Sequence, residues 1–434
     1  MAEKTLKSQV KTPFGRLTFG ILLGYSCMMV GLMTPAVMLL SFKMIEIDPQ
    51  GYTTSYGLVA GAGAFLALIG NPLGGAISDR TNIPFGRRRT WILLGSLLGC
   101  MALIWIGLST EIWQVLIAWC VAQLFFNFGM AAYTALIPDQ VEEHRRGTMS
   151  GLIGLTLPIG IGVGMILMMS LNSVPTITKW FVITIIAIVG PILSLFIIRD
   201  GKVEKVAVEK KNLTLVEKLS KVYPNPRVFP EFTWAIISKF LLNIGLGVTS
   251  YLTIYLVNRL GFSESEATTS VGLINILALA ATAFTSVLGG ILSDKLKKQK
   301  PFLYSSAFVI LVGILVVAFL PNYTTILIAG VIIGLGMGCF TSVDMALVTR
   351  ILPNQEDAAK DFGLMNVANT LPQSIVPLIA PLLLGIGGWN FFYLFLASFV
   401  VLSIFAIKPL PEVGEYRKEK QQILTDANKG QTIN

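Results

Sequence analysis

The sequence predicts an all-α integral membrane protein of twelve transmembrane helices in two six-helix repeats. Charge is the first reason: of 434 residues, 54% are hydrophobic and 13% are charged, against about 25% charged in a soluble domain. So little charge cannot clothe a surface this large for water. Length is the second, because apolar runs of about 20 residues recur along the chain, each long enough as a helix to cross a bilayer core. Internal repetition, set out below, is the third. A membrane barrel would alternate apolar and polar residues along its strands, whereas 92–108 and 303–320 are apolar on all sides.

The elements follow in order. The first span, 17–42, comes after a polar, basic stretch ending at Arg16 and lacks a small-residue cleavage site, so a membrane helix is expected rather than a cleaved leader. Spans two to six are expected at 53–77, 90–109, 112–136, 147–171 and 176–198. The polar stretch 199–231 is rich in Lys and Glu and then carries Pro224, Pro226 and Pro230. It reads as a linker, with 212–222 forming a short amphipathic helix at the membrane surface. Spans seven to twelve are expected at 232–257, 266–292, 302–320, 324–349, 362–387 and 390–407. The predicted organisation is a first half over 1–198, the linker, a second half over 232–407 and a tail over 408–434.

Basic residues orient the chain. The loops on the side of the termini hold 29 of the 33 Lys and Arg residues, and the opposite loops hold three, Lys43, Lys179 and Arg259; Lys239 lies within a span. Cytoplasmic loops carry such an excess, so both termini are expected in the cytoplasm and the protein in the cytoplasmic (inner) membrane. The net charge of +9 is therefore a topology signal, and no nucleic-acid partner is expected. The four cysteines, Cys27, Cys100, Cys120 and Cys339, fall inside predicted spans and read as packing residues. One histidine, His144, lies in a charged loop; neither a metal site nor a catalytic triad can be assembled from it. No phosphate-binding Gly-x-x-x-x-Gly-Lys-Ser/Thr loop is present. No cofactor and no enzyme activity are expected.

The halves repeat at one offset. Gly74-Gly75-Ala76-Ile77-Ser78-Asp79-Arg80 returns 215 residues later as Gly289-Gly290-Ile291-Leu292-Ser293-Asp294-Lys295. Ala135-Leu136-Ile137-Pro138, followed by Arg145, returns at the same offset as Arg350-Ile351-Leu352-Pro353, followed by Lys360. Two parallel six-span halves place a cavity between repeats.

Gly75-x-x-x-Asp79-Arg80 followed by Gly86-Arg87-Arg88-Arg89 resembles the signature loop of the major facilitator superfamily between spans two and three. The glycine permits close helix approach, and an aspartate at a helix end pairs with basic residues or caps a neighbouring helix. Gly75, Asp79, Arg80, Arg87, Arg88 and Arg89, with Asp294 and Lys295 in the second copy, are therefore read as a cytoplasmic gate; the bland alternative makes the arginines topology signals alone. The five residues Thr81 to Phe85 before Gly86, Pro138-Asp139 with Arg145-Arg146-Gly147, Asn225-Pro226-Arg227 and Ser342-Val343-Asp344-Met345-Ala346-Leu347 resemble the sucrose-transporter-like and glycoside/pentoside-transporter branch. The glycines of span five, Gly154, Gly160, Gly162 and Gly164 around Pro158, read as helix packing.

Polar residues inside spans cost free energy and mark function. They recur at helical spacing as Gln123, Asn127 and Thr134; Lys239, Asn243 and Ser250; Asn275, Thr282 and Ser286; Thr341 and Asp344; and Asn366, Asn369 and Gln373. Interhelical hydrogen bonding is the alternative reading. The resemblance implies that spans one, four, seven and ten line the cavity. Candidate substrate contacts are then Tyr25, Gln123, Asn127, Tyr133, Lys239, Asn243, Tyr251, Thr341, Asp344 and Asn369, the tyrosines offering stacking surfaces. Shifted by 215, Lys239 falls opposite Gly24 and Asp344 opposite Gly129, so charge sits in one half. Lys239 lies about 12 Å into span seven and Asp344 about 9 Å into span ten from the same side, at about 1.5 Å per residue. An ion pair is expected, against the alternative of a snorkelling lysine and a hydrated carboxylate. Asp344, with Lys239, is the candidate for proton coupling.

The resulting functional expectation is a monomeric secondary transporter moving a small organic solute by alternating access, by proton-coupled symport of a glycoside or polar metabolite. Proton-coupled efflux of an amphipathic compound is a second reading. A non-transporting receptor or assembly factor on a transporter fold is a third, from another class.

Overall fold

The computed structural model describes residues 12–201, 226, 229–351, 358–410 and 412. Among these residues there is no β-strand. The helices are α1 (Phe14–Ile47), α2 (Tyr52–Arg80), α3 (Arg87–Leu108), α4 (Ile112–Gln140), α5 (His144–Ser170), α6 (Thr176–Ile197), α7 (Pro230–Leu260), α8 (Glu264–Leu296) and α9 (Lys300–Phe319), then α10 (Tyr323–Ile351). The last continuous helical run, Ala358–Ile407, leaves helical geometry at Gly387 and Gly388. Gly388 has φ +65°, a left-handed conformation that glycine adopts without a Cβ penalty. The run is thus two crossings, α11 (358–386) and α12 (389–407), and the described residues hold twelve membrane helices. A single straight helix of its 50 residues would be about 75 Å long, more than twice a bilayer core of about 30 Å.

Two helices carry local irregularities with a visible cause. In α1, Pro35 opens a π turn over Pro35–Leu39, because its ring displaces a carbonyl of the preceding turn and it has no N–H to donate. In α7, the glycine-containing segment Gly247–Tyr251 tightens to a 3₁₀ turn.

Several helices run past the predicted apolar spans. α1 carries Lys43, which the sequence reading placed in a loop; it is 4% exposed and donates to the Gly107 carbonyl at 3.3 Å and to Glu46 at 3.2 Å. α2 reaches Arg80 and α4 reaches Gln140. Hydropathy ends where polar residues begin, but the backbone keeps its hydrogen-bonded turns beyond that point. Most of the predicted linker, the amphipathic segment 212–222 within it and the tail beyond 412 lie outside the described residues.

The chain forms two compact units, one of residues 1–210, 250–275 and 374–382, the other of 211–249, 276–373 and 383–434. In unit 1, α4 packs on α2 and α3, and α1 packs on α5 and α6. Small residues allow these approaches: a Cβ at Gly95 of α3 would meet the Phe125 carbonyl of α4 at 2.6 Å. The α2–α3 and α4–α5 loops mark the basic end of this unit. Its far end includes the end of α7, the start of α8 and a stretch of α11. There Tyr251 donates to the carbonyls of Thr53 and Pro377, both at 3.1 Å, and Tyr56 donates to the Ser250 carbonyl at 2.8 Å. In unit 2, α9 packs on α10, and α7 also meets α10.

Candidate functional site

Unit 2 brings together four of the polar residues singled out above. α7 presents Lys239 and, one turn later, Asn243 on one face. Asp344 comes from α10. Lys239 Nζ lies 2.6 Å from Asp344 Oδ2, and their side chains are 10% and 8% exposed. Asn243 donates to the Lys239 carbonyl at 2.8 Å and to Asn369 Oδ1 of α11 at 3.3 Å. Three helices are thus tied by one ion pair and one amide contact. Thr341 is exposed one turn from Asp344 and spends its hydroxyl on the carbonyls of Met337 and Gly338.

The repeat shows what the same positions do without charge. At the offset of 215 residues, Lys239, Asn243 and Asp344 correspond to Gly24, Met28 and Gly129. In unit 1 the Met28 side chain occupies the space a Cβ on Gly129 would need, and the Tyr133 hydroxyl occupies that of Gly24. Ordinary packing closes this place in the first half, so the ion pair is not a requirement of the architecture.

Unit 1 holds the remaining candidates. Gln123 and Asn127 are buried on α4, where they face the small residues Gly63 and Gly70 of α2; Asn127 donates to the Gln123 carbonyl at 2.7 Å. Tyr25 and Tyr133 are buried with ring centroids 6.1 Å apart, and the Tyr133 hydroxyl meets Ser194 of α6. Tyr251 packs edge-on against Tyr56 at 5.1 Å. In this structure each of these side chains is held by its own unit's helices.

At the basic end of unit 1, Arg88 is 3% exposed and gathers the signature-loop residues around it. Its guanidinium donates to Asp139 at 2.7 Å, to Asp79 at 2.6 Å and to the Ser78 hydroxyl. Arg87 reaches the other oxygen of Asp139 at 2.6 Å. Asp200, just past α6, accepts the backbone N–H of Arg88 at 2.7 Å and caps the start of α3. A Cβ at Gly86, where φ is +111°, would meet that carboxylate at 2.6 Å. Arg89 donates to the Leu195 carbonyl at 2.8 Å and stacks over Phe85 at 4.5 Å. Gly75 accepts the Ser78 hydroxyl at 3.3 Å, and Arg80 is exposed. Asp139 and Asp200 were missed as functional residues by sequence reasoning. The signal for Asp139 was an acid closing span four beside basic loops.

The second copy keeps part of this plan in unit 2. Ser293 donates to the Gly290 carbonyl at 3.0 Å, as Ser78 does to Gly75. Glu412 accepts the backbone N–H of Gln299 at 2.6 Å, as Asp200 does for Arg88. Asp294 and Lys295 are exposed. Among the described residues no group of His, Cys, Asp and Glu is arranged to hold a metal ion.

Comparison with known proteins places these features in context. The profile of the Major Facilitator Superfamily matches residues 17–356 and 269–427. The fold is similar to the crystal structure of a D-xylose–proton symporter, with TM-score 0.70 and 16% identity over 92% of this chain and 98% of that one. It is similar to a bacterial homologue of the human lysosomal transporter Spinster in its inward-facing, occupied conformation, with TM-score 0.66 and 13% identity over 95% and 98%. It is also similar to the human organic anion transporter TETRAN, with TM-score 0.63 and 14% identity over 91% and 99%. No curated protein matches the chain.

Proposed function

The chain belongs to the Major Facilitator Superfamily, and from that premise we propose that it is a proton-coupled symporter of a glycoside or another polar metabolite, working by alternating access. It acts as a monomer in the cytoplasmic membrane with both termini inside the cell.

The buried Lys239–Asp344 pair carries the reading. A charge buried alone in a membrane span costs several kcal/mol, and a partner offsets that cost. A proton arriving at Asp344, or a solute hydroxyl competing for it, frees Lys239 and loosens α7 from α10. Asn243 and Asn369 supply amide donors and acceptors for hydroxyl groups beside it. The resemblance of the loop motifs to the glycoside/pentoside branch supports such a cargo, as does the sugar–proton symporter among the similar structures. In the same reading, the Arg88 cluster stabilises the state closed to the cytoplasm, with Asp294 and Lys295 in the equivalent place. Tyr25, Gln123, Asn127, Tyr133 and Thr341 join the solute path in other states of the cycle.

The test is counterflow in proteoliposomes, with solutes first chosen by thermal shift across sugars, nucleosides, amino acids and drugs. The proposal expects labelled polar solute to exchange, and to accumulate uphill when a pH gradient, acid outside, is imposed. Exchange without any response to the gradient would remove proton coupling. A correctly folded protein that exchanges no solute would favour the receptor reading.

A further inference from the structure

We propose that the groove between the start of α1 and the end of α6 binds the phosphate of an anionic phospholipid. The groove encloses about 410 Å³ and is lined by Gly15, Arg16, Phe19, Phe196, Ile197 and Arg199. It lies in unit 1 and at its basic end, two residues into α1 and two beyond α6. That is the depth at which a helix leaves the hydrocarbon for the headgroup layer.

Its chemistry is that of a phosphate site with lipid-facing walls. Arg16 and Arg199 are exposed, and neither has an acidic partner among the described residues. The neighbouring carboxylate is engaged elsewhere: Asp200 accepts from the backbone of Arg88 at 2.7 Å, Arg89 at 3.3 Å and Gly201 at 2.9 Å. Two guanidinium groups at one cavity, without an acidic partner among the described residues, are suited to the oxygens of a phosphate diester. Phe19 and Phe196 are 59% and 82% exposed, and on helices that cross a bilayer such rings meet acyl chains. A soluble anion has no use for those walls, whereas a phospholipid uses both the cations and the aromatics.

The groove is also built rather than incidental. Thr12 and Gln140 hold the backbone of Arg199: its N–H donates to the Thr12 hydroxyl at 2.9 Å, and its carbonyl accepts from Gln140 at 2.7 Å. Beside the groove, α1 closes on the residue that follows α6, since a Cβ at Gly20 would meet Ile198 at 2.9 Å. At Gly15 the helices part, and a Cβ there has nothing within 4 Å. The opening therefore lies toward the Gly15 end of α1.

Native mass spectrometry of the full chain in detergent tests this. The titrants are phosphatidylglycerol, phosphatidylcholine with the same acyl chains, and soluble glycerol phosphate. Phosphatidylglycerol is expected to give a retained adduct that the other two do not. Arg16→Gln with Arg199→Gln removes the cations and should weaken it about tenfold or more, the scale of losing charge-assisted hydrogen bonds. Gly15→Leu keeps both cations, fills the groove without a clash and should weaken it similarly, so the test survives a double variant that fails to fold. Lys298→Gln, an exposed cation elsewhere, should leave it unchanged. An adduct that persists in Gly15→Leu, equal retention of glycerol phosphate, or equal loss in Lys298→Gln would overturn the proposal.

Discussion

Lys239 and Asp344 show how far single residues can be argued from sequence. Depth along two predicted spans brought them level, and the cost of burying either charge alone called for a partner; the structure has them 2.6 Å apart. Each single neutralisation, Lys239→Ala or Asp344→Ala, leaves a buried charge without its partner, expected to cost about 3–5 kcal/mol. The double variant should recover much of that in thermal unfolding, while remaining unable to accumulate solute on a pH gradient. Additive losses in the double variant would show that the two charges act independently. The cluster at Arg88 ranks its own acids. Asp139 bridges Arg87 and Arg88 with 16% of its side chain exposed, whereas Asp79 touches Arg88 with 59% exposed. Asp139→Asn should therefore destabilise the fold more than Asp79→Asn, by a difference of about 1–3 kcal/mol, as read by unfolding of the purified variants. Equal effects would show that burial does not rank the two acids, and a larger effect of Asp79→Asn would place the weight of the cluster there. The tyrosines were harder to read: an aromatic in a span looks the same in sequence whether it lines a path or fills a notch, and the glycine that Tyr133 packs against in this structure lies 109 residues away in the chain.

At the scale of helices, existence was legible and ends were not. Twelve apolar runs became twelve helices among the described residues, and the Gly387-Gly388 break falls at the junction of predicted spans eleven and twelve, where the positive φ of Gly388 favours glycine. The overruns of α1, α2 and α4 carried Lys43, Asp79 and Asp139 into helical turns because a hydropathy window cannot see backbone hydrogen bonds continuing through polar residues. Helix pairing was invisible too, since small residues announce a close contact without naming its partner. The far end of unit 1 makes this concrete. Gly57 and Gly61 of α2 face the Pro377 carbonyl and the Leu378 side chain of α11, with Tyr251 inserted beside them. Gly61→Leu adds side-chain volume where the neighbouring atoms leave none and should destabilise this packing by about 1–3 kcal/mol. A cysteine placed at exposed Leu382, which leaves the Leu378 side chain in place, should then react faster with a small maleimide. An unchanged labelling rate in a folded variant would show that α2 does not hold this stretch of α11 in solution.

At the scale of the whole chain, the distribution of charge decides orientation. Basic residues number 29 on the side of the termini and three on the other, and the structure sharpens that contrast. Lys43 pairs with Glu46 at 3.2 Å and Lys179 with Glu264 at 3.0 Å, so two of the three cations on the sparse side are locally neutralised. Arg259 remains exposed there. Lys and Arg in short loops determine which side stays in the cytoplasm, so this imbalance is expected to impose one orientation on every molecule. Gln50, in the α1–α2 loop, and Asn82, in the α2–α3 loop, are both exposed and flank the two ends of α2. With Cys27, Cys100, Cys120 and Cys339 first replaced by alanine, a cysteine at position 50 should react with a membrane-impermeant maleimide in intact cells. A cysteine at position 82 should react after the cells are permeabilised and not before. The reverse pattern would invert the topology and place the Arg88 cluster outside, where a cytoplasmic gate has no meaning. Labelling at both positions in intact cells would mean a mixed population, and the charge asymmetry would then not control insertion.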